Sequence, residues 1–247
     1  PSTLKSDTGT IPGGYFDDTR GILYSYLIAL PLLLLYEVLI LISRPLSGDG
    51  VRISVDVWMK SLFLLLGFQS VTATLLIAAL LGAIILYRKR ALIPSLKARY
   101  FSFMIVESIL YAVIVTILIV GFLDALLMLQ SDSPLAGMNK LRLFALSLGA
   151  GLYEELFFRV ILVSLLALLF GLITEKKFIA YGLAATVAAL IFSAVHYVGE
   201  FGDFLELGSF LFRFLFGLAL NLIYVVRGFG IAAWTHALYD VLVILQL

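Results

Sequence analysis

The chain has 247 residues, of which 62% are hydrophobic and 13% charged, and its formal net charge is +1. A soluble domain is nearer ~45–50% apolar and ~25% charged, so an ordinary soluble protein is excluded. The near-neutral charge argues against a nucleic-acid partner, and the absence of cysteine excludes disulfides, thiolate metal sites and a cysteine nucleophile. Because lipid-embedded backbone must satisfy its own hydrogen bonds, we predict an all-α, polytopic membrane helical bundle.

A membrane-spanning helix needs about 20 mostly apolar residues, and the chain offers about seven or eight such segments. Residues 1–20 are polar and rich in turn formers, and they lack the apolar core of a signal peptide. Residues 51–68 mix charges with an apolar stretch too short to span, which predicts an interfacial amphipathic or re-entrant segment. The predicted spans are 21–43, 69–87, 101–129, 141–170, 178–198, 209–226 and 231–247.

These segments predict three regions: a polar N-terminal tail at 1–20, N-terminal transmembrane helices at 21–140, and a helical core at 141–247. Basic residues between Arg88 and Arg99, at Lys176–Lys177 and at Arg227 indicate cytoplasmic loops by the positive-inside rule. The acidic loop 199–208 then faces the outside. Basic residues in the Arg44–Lys60 region fall on the predicted outer side, against that rule.

Ionisable residues interrupt the span 141–170. Glu154, Glu155 and Arg159 lie within its apolar sequence, and each ionisable side chain at a helix centre costs roughly 2.5–3.5 kcal/mol on insertion scales. We therefore expect each of them to have a partner. Ser147 and Gly151 form a pair of small residues four apart, which predicts the close approach of another helix just before the glutamates.

Helical spacing assigns different partners to the two glutamates. Glu155 and Arg159 are four residues apart and can pair on one helix face. Glu154 points about 100° away from Glu155 and is free to face the bundle interior. The chain has two histidines, His196 and His236, and both fall in predicted spans.

Each histidine also has a marked residue four positions away, Phe192 before His196 and Asp240 after His236. His196 falls near the outer end of its span and His236 near the inner end of its own. A shared site therefore requires a shifted helix boundary or a broken helix.

This constellation has the groups that amide hydrolysis needs, namely an activated nucleophile and donors for the developing oxyanion. Glu154 with His196 can hold and deprotonate a water. His236, oriented by Asp240, can donate to the oxyanion. These groups suit hydrolysis of an amide by activated water without a cofactor, and in a membrane protein the substrate would be a membrane-associated protein or peptide at the lipid bilayer. The oligomeric state is not indicated.

Other interpretations stay open. Glu154, Glu155 and Arg159 can form a purely structural ion-pair network. Glu154, His196 and His236 can also be read as a zinc set with one position left for water, although no His-Glu-x-x-His motif is present. A membrane scaffold or immunity protein without turnover is a further possibility, as is a transporter that uses these residues as a solute or proton path.

Three ordered patterns carry a family resemblance: Glu-Glu-x-x-x-Arg at 154–159, Phe-x-x-x-His at 192–196 and His-x-x-x-Asp at 236–240. They resemble the three motifs of the CAAX protease and bacteriocin-processing (CPBP) family, which includes the Rce1-like type II CAAX prenyl endopeptidases. The resemblance covers roughly residues 141–247. It implies a helical, multi-pass intramembrane peptidase of a bacterial or archaeal cell membrane.

The resemblance also implies roles for individual residues. Glu154 and His196 would activate water, His236 and Asp240 would form the oxyanion site, and the supporting residues would be Glu155, Arg159 and Phe192. The CAAX endopeptidases have asparagine where this chain has Asp240. An ionised aspartate would repel an oxyanion, so Asp240 must be protonated or must orient His236. This departure separates the chain from the prenyl-protein enzymes in particular.

Overall fold

The computed structural model describes residues 14–43, 54–65, 70–127, 139–198 and 202–246. Within these ranges all regular secondary structure is helical, which confirms the all-α prediction. In the same ranges, four helices are long and apolar enough to cross a membrane: Ile22–Ile42, Ala98–Leu123, Lys177–Val195 and Leu207–Arg227. The larger number of spans predicted from the sequence stays a prediction.

The helices of the N-terminal half are α1 (Tyr15–Thr19), α2 (Ile22–Ile42), α3 (Ser54–Leu65), α4 (Ser70–Arg88) and α5 (Ala98–Leu127), with a 3₁₀ turn at Arg90–Ser95. A continuous helical run follows over residues 140–171, and we call it the motif helix. It consists of α6 (Lys140–Gly149), two π-helical segments (Ala150–Glu154 and Leu156–Val163) and α7 (Ser164–Gly171). The chain continues as α8 (Lys177–Val195), α9 (Leu207–Arg227) and α10 (Phe229–Gln246).

Helix α10 lies at the centre of the bundle and contacts α2, α5, α9 and the motif helix. Its small residues Ala233 and Ala237 are fully buried. A Cβ atom on Gly151 would lie 2.4 Å from the Ala233 carbonyl oxygen and 2.6 Å from the Ala237 Cβ. The predicted close approach at Gly151 is therefore confirmed, and α10 is the helix that makes it.

The motif helix changes from α to π geometry at Ala150. The preceding Gly149 contacts the ring of Tyr36 on α2, where an added Cβ would lie 2.4 Å from a ring carbon. A π-helix closes its hydrogen bonds over five residues, so successive side chains diverge by less than the ~100° of an α-helix. Both Glu154 and Glu155 reach His236, at 3.9 Å from its Nε2 and 2.7 Å from its Nδ1 respectively.

Helix α8 ends at a level inside the bundle. A Cβ on Gly217 of α9 would lie 3.1 Å from the Phe192 ring of α8. From Gly217, α9 continues about ten residues, or ~15 Å, to its first residue, Leu207. Helix α8 ends at Val195, about one turn past Phe192. His196 therefore lies beside the bundle interior, and the shorter α8 resolves the mismatch in depth between the two histidines.

Buried ion pairs change the interpretation of two basic residues. Arg227 was predicted to mark a cytoplasmic loop by its charge, but it is buried and its Nε lies 2.5 Å from Glu107 Oε1 on α5. Its Nη2 also donates to Thr19 Oγ1 on α1 at 2.8 Å. Lys60 is likewise buried. Arg227 and Lys60 therefore have buried acidic partners, and the membrane orientation counted from the basic residues stays a prediction.

The structure also shows which parts of two predicted segments are helical. Within the predicted polar tail, residues 15–19 form α1, which is tied to α5 by the hydrogen bond from the Tyr15 hydroxyl to Glu107 at 2.6 Å. Within the predicted segment 51–68, residues 54–65 form α3, and 51–53 and 66–68 lie outside the described residues. The side chains of Asp56 and Lys60 on α3 are buried in the protein. The interfacial position of α3 stays a prediction.

Replacing Gly151 by alanine should destabilise the bundle by about 1–3 kcal/mol, the usual cost of overpacking. The added methyl group would overlap α10, which cannot move without displacing His236. Gly182→Ala on α8 is the matched control because nothing lies within 4 Å of its Cβ position. Thermal unfolding of the two detergent-purified variants provides the comparison. Equal stability of both variants would contradict the tight helix contact.

Candidate active site

The motif helix and α10 bring Glu155, Arg159 and His236 together in a buried cluster. Glu155 Oε1 lies 2.9 Å from Arg159 Nη1 and 2.7 Å from His236 Nδ1. The predicted pairing of Glu155 with Arg159 is thus present. The contact between Glu155 and His236 was not predicted, because it joins two helices 81 residues apart in the sequence.

Glu155 fixes the orientation of the His236 ring. A carboxylate that pairs with arginine only accepts hydrogen bonds, so His236 Nδ1 carries a hydrogen and donates it to Glu155. The other ring nitrogen, Nε2, lies 3.9 Å from Glu154 Oε2 and 3.8 Å from Asp240 Oδ2. The sequence assigned the orienting role to Asp240. The structure instead places Glu155 in hydrogen-bonding distance and Asp240 beyond it.

Glu154 lies next to His236 rather than next to His196. Among the described residues, no hydrogen bond or ion pair joins Glu154 to His196, which differs from the predicted contact. His196 Nδ1 lies 2.7 Å from the Phe192 carbonyl oxygen. Because a carbonyl oxygen only accepts, Nδ1 carries the hydrogen, and Nε2 of a neutral His196 is left with a free lone pair. That nitrogen can accept a hydrogen bond from a water molecule.

Phe192 connects the two histidines. Its ring centroid lies 5.0 Å from that of His196 and 6.0 Å from that of His236, both in edge-to-face geometry. The Arg159 guanidinium lies 4.6 Å from the same ring centroid. This buried phenylalanine therefore forms the apolar wall between the parts of the site, in agreement with the packing expected from its residue type.

Helix α9 completes the wall with two residues that sequence reasoning missed. The Phe216 ring lies 5.3 Å from the His236 ring, edge to face. The Gly217 carbonyl accepts a hydrogen bond from Arg159 Nη2 at 3.3 Å. Neither residue belongs to a motif. For Phe216 the sequence offers one indication, its four-residue spacing from Phe212, which places both rings on one face of α9. For Gly217 it offers none.

The exposed fraction of the acidic side chains increases from Glu155 through Glu154 to Asp240. The Glu155 side chain is 0% exposed, the Glu154 side chain 12% and the Asp240 side chain 29%. The buried end therefore holds the ion pair with Arg159, and the open end holds Asp240.

The segment after α8 is held by a separate polar cluster. The backbone N–H of Asp203 donates to the His196 carbonyl oxygen at 2.9 Å. The Asp203 carboxylate pairs with Arg213 of α9, which also donates to the Tyr197 hydroxyl at 2.7 Å and to Ser209 Oγ at 2.6 Å. These contacts fix the backbone on both sides of His196 and secure its position at the end of α8.

The zinc alternative was tested on Glu154, His196 and His236. Over the described residues, no group of three or more His, Cys, Asp or Glu side chains is arranged to hold a metal ion. The hydrogen bond from His236 Nδ1 to Glu155 leaves Nε2 free for a metal, as is usual in a metal-ligating histidine. Zinc therefore stays an alternative, although these three side chains are not grouped as a metal site in the described residues.

A cavity of about 560 Å³ lies on another face of the motif helix, between it, α2 and α4. It is lined largely by apolar side chains, including Leu152, Leu156 and Val160 of the motif helix. None of Glu154, His196, His236 and Asp240 lines it. The cavity is therefore distinct from the candidate active site.

Comparison with known proteins gives one family. Residues 136–242 match the family model described as type II CAAX prenyl endopeptidase Rce1-like. The match covers less than half of the chain and includes all three motifs, and it confirms the resemblance carried by those motifs. No curated protein and no solved structure matches the chain. The family supports a CAAX-type intramembrane protease in general, with a membrane-associated protein as its substrate.

The geometry predicts unequal effects for the two glutamates on stability. Glu155→Gln leaves Arg159 buried without its carboxylate, a change that typically costs about 3–5 kcal/mol. Glu154→Gln should cost much less, because its nearest charged group, His236, is 3.9 Å away. Thermal unfolding of the two purified variants compares them directly. Equal destabilisation would show that the ion pair is not the structural brace.

Proposed function

We propose that this chain is a multi-pass intramembrane endopeptidase that hydrolyses a peptide bond of a membrane-associated protein or peptide with activated water. One observation carries the proposal: His236 lies between Glu154 and Glu155, and Phe192 links it to His196. A structural ion-pair network needs only Glu155 and Arg159. It leaves unexplained why Glu154 faces His236 and why a second histidine, His196, packs on the same Phe192 ring as His236.

In this mechanism Glu154 and His196 act together on one water molecule. His196 Nε2 has a free lone pair because Nδ1 donates to the Phe192 carbonyl. Glu154 supplies a carboxylate that is not tied up in the Arg159 ion pair. A water bound between these two groups gives one proton to Glu154 as its oxygen attacks the carbonyl carbon of the substrate. When the tetrahedral intermediate collapses, the C–N bond breaks and Glu154 returns that proton to the leaving amine. The substrate approaches from the Asp240 end, where exposure is greatest.

The oxyanion that forms is bound by His236 and Asp240. His236 Nδ1 already donates to Glu155, so donation from Nε2 requires both ring nitrogens to carry hydrogen. Glu155 supports that form by holding the ring with its negative charge. Asp240 contributes a donor only when it carries a proton, because an ionised carboxylate would repel the oxyanion. The asparagine of the CAAX endopeptidases supplies that donor without a proton requirement.

The mechanism uses no metal, and it is a glutamate-type peptidase mechanism in a bacterial or archaeal cell membrane. Elemental analysis of the purified protein distinguishes it from a zinc peptidase, for which stoichiometric zinc is expected. A scaffold or immunity protein of the same fold would show no turnover. A transporter would lose solute flux, rather than cleavage, when these residues are changed.

Glu154→Gln and His196→Ala should each lower the rate of cleavage by about 10²–10⁴-fold, the usual contribution of a positioned acid or base. Cleavage is measured by mass spectrometry in proteoliposomes that contain lipid-anchored peptides, some prenylated and some acylated. Ser164→Ala is the control, since Ser164 begins α7 with an exposed side chain. Persistent cleavage by both variants would refute the mechanism, and the peptide set identifies the lipid that the substrate requires.

Asp240→Asn should retain activity or increase it, because an amide donates to an oxyanion without having to be protonated. Asp240→Leu should lose activity, because leucine has similar bulk and no donor. The same cleavage measurement compares the two variants. If Asn and Leu are equally inactive, the carboxylate itself is required, and Asp240 does not serve as an oxyanion donor.

A further inference from the structure

A second cluster of buried charges lies away from the candidate active site. Lys60 Nζ of α3 lies 2.6 Å from Glu37 Oε1 of α2 and 2.7 Å from Asp56 Oδ1, one turn earlier on α3. All three side chains are almost entirely shielded from solvent. Glu37, Asp56 and Lys60 lie outside the region 136–242 that matches the family model. We call these three residues the α2–α3 charge cluster.

Two tyrosine hydroxyls complete the α2–α3 charge cluster. Tyr36 of α2 donates to Asp56 Oδ2 at 2.7 Å, and Tyr153 of the motif helix donates to Glu37 Oε1 at 3.0 Å. The two rings pack edge to face with centroids 5.4 Å apart. The ammonium group of Lys60 lies 5.7 Å from each ring centroid. The cluster therefore reaches the motif helix through Tyr153, which directly precedes Glu154.

Electrostatics make this contact specific. Effective penalties for burying an ion in protein are several kcal/mol per charge, and pairing has to offset them. The ammonium of Lys60 is shared between two carboxylates, so its position fixes Glu37 relative to α3. Tyr153 then binds an oxygen atom whose position is already set. A water-filled or apolar contact would not hold the tyrosine at one defined point.

Helix α3 contacts the motif helix at a second point, where the rings of Trp58 and Phe157 meet edge to face at 6.2 Å. Tyr153 and Phe157 are four residues apart and flank Glu154 on its two sides in sequence. Both lie within the π-helical part of the motif helix. π-Helical turns are rare and occur mostly as short irregular segments. We therefore expect contacts with other helices, such as these two, to help set the directions of the side chains on such a turn.

We propose that Lys60, Glu37 and Tyr153 are positioning residues that set the direction of Glu154 toward the water it activates. This inference rests on the proposed peptidase function. It adds positioning residues, two of which, Glu37 and Lys60, lie outside the region 136–242 that matches the family model. None of the three touches the reacting atoms. The hydroxyl of Tyr153 fixes the rotation of the π-helical turn, and Glu154 is the next residue on that turn.

Tyr153→Phe removes the hydroxyl and keeps the ring, so it tests the tether without opening a cavity. We expect kcat for peptide cleavage to fall by about tenfold to a hundredfold with little change in KM, since a 1 Å misplacement can cost 10²-fold. Tyr36→Phe is the matched control, because it removes a hydroxyl bond of the same cluster that does not reach the motif helix. The control should retain a kcat near that of the unmodified protein.

A second measurement does not depend on activity. Hydrogen–deuterium exchange of residues 150–163 should be faster in Tyr153→Phe than in Tyr36→Phe. Lys60→Met should produce the same two effects, and Lys60→Arg should restore both in part because it keeps the charge. Since Lys60→Met also removes the ammonium group between two buried carboxylates and can impair folding, Tyr153→Phe is the deciding variant.

The outcomes separate this inference from the proposed function. If Tyr153→Phe and Tyr36→Phe have the same kcat and the same exchange in 150–163, the positioning role is wrong. If Glu154→Gln still cleaves peptides, the peptidase mechanism fails instead, and the exchange result alone then decides whether Tyr153 orders the turn. A fall in stability without a separate fall in kcat would show that the cluster is only structural.

Discussion

The structure depends on the cost of holding charge away from water. Each ionisable group inside a membrane-spanning bundle has to find a partner, and among the described residues three buried ion pairs or clusters meet this demand. Glu155 pairs with Arg159 on one helix, whereas Glu107 pairs with Arg227 and Lys60 with Glu37 across two helices. The geometry of the candidate site depends on the pair of Glu155 with Arg159, because the same Glu155 oxygen also binds His236 Nδ1.

Much of the fold and of the site could be predicted from residue type and spacing. The helical class follows from composition, and the intrahelical pair of Glu155 with Arg159 follows from four-residue spacing. The close approach of a helix at Gly151 follows from the pair of small residues. These are local properties, since each depends on residues within one or two turns of the same helix.

The remaining features depend on contacts between distant segments. Glu155 and His236 are 81 residues apart, so no periodicity connects them. The motif helix becomes π-helical at Ala150, between the close contacts of Gly149 with Tyr36 and of Gly151 with α10, and residue spacing gives no sign of this change. Arg227 has the charge of a loop residue, yet its partner Glu107 lies on another helix. Residue spacing relates a side chain only to its neighbours on the same helix. The contacts of His236 and Arg227 with acidic residues on other helices therefore could not be predicted from it.

The charges on α3 also constrain how the protein is assembled. Lys60 contacts Glu37, which is made earlier in the chain, whereas Tyr153 is made later and joins the cluster last. A nascent chain can therefore pair α2 with α3 before the motif helix exists. The hydrogen bond from Tyr153 to Glu37 then sets where the arriving motif helix meets the two earlier helices.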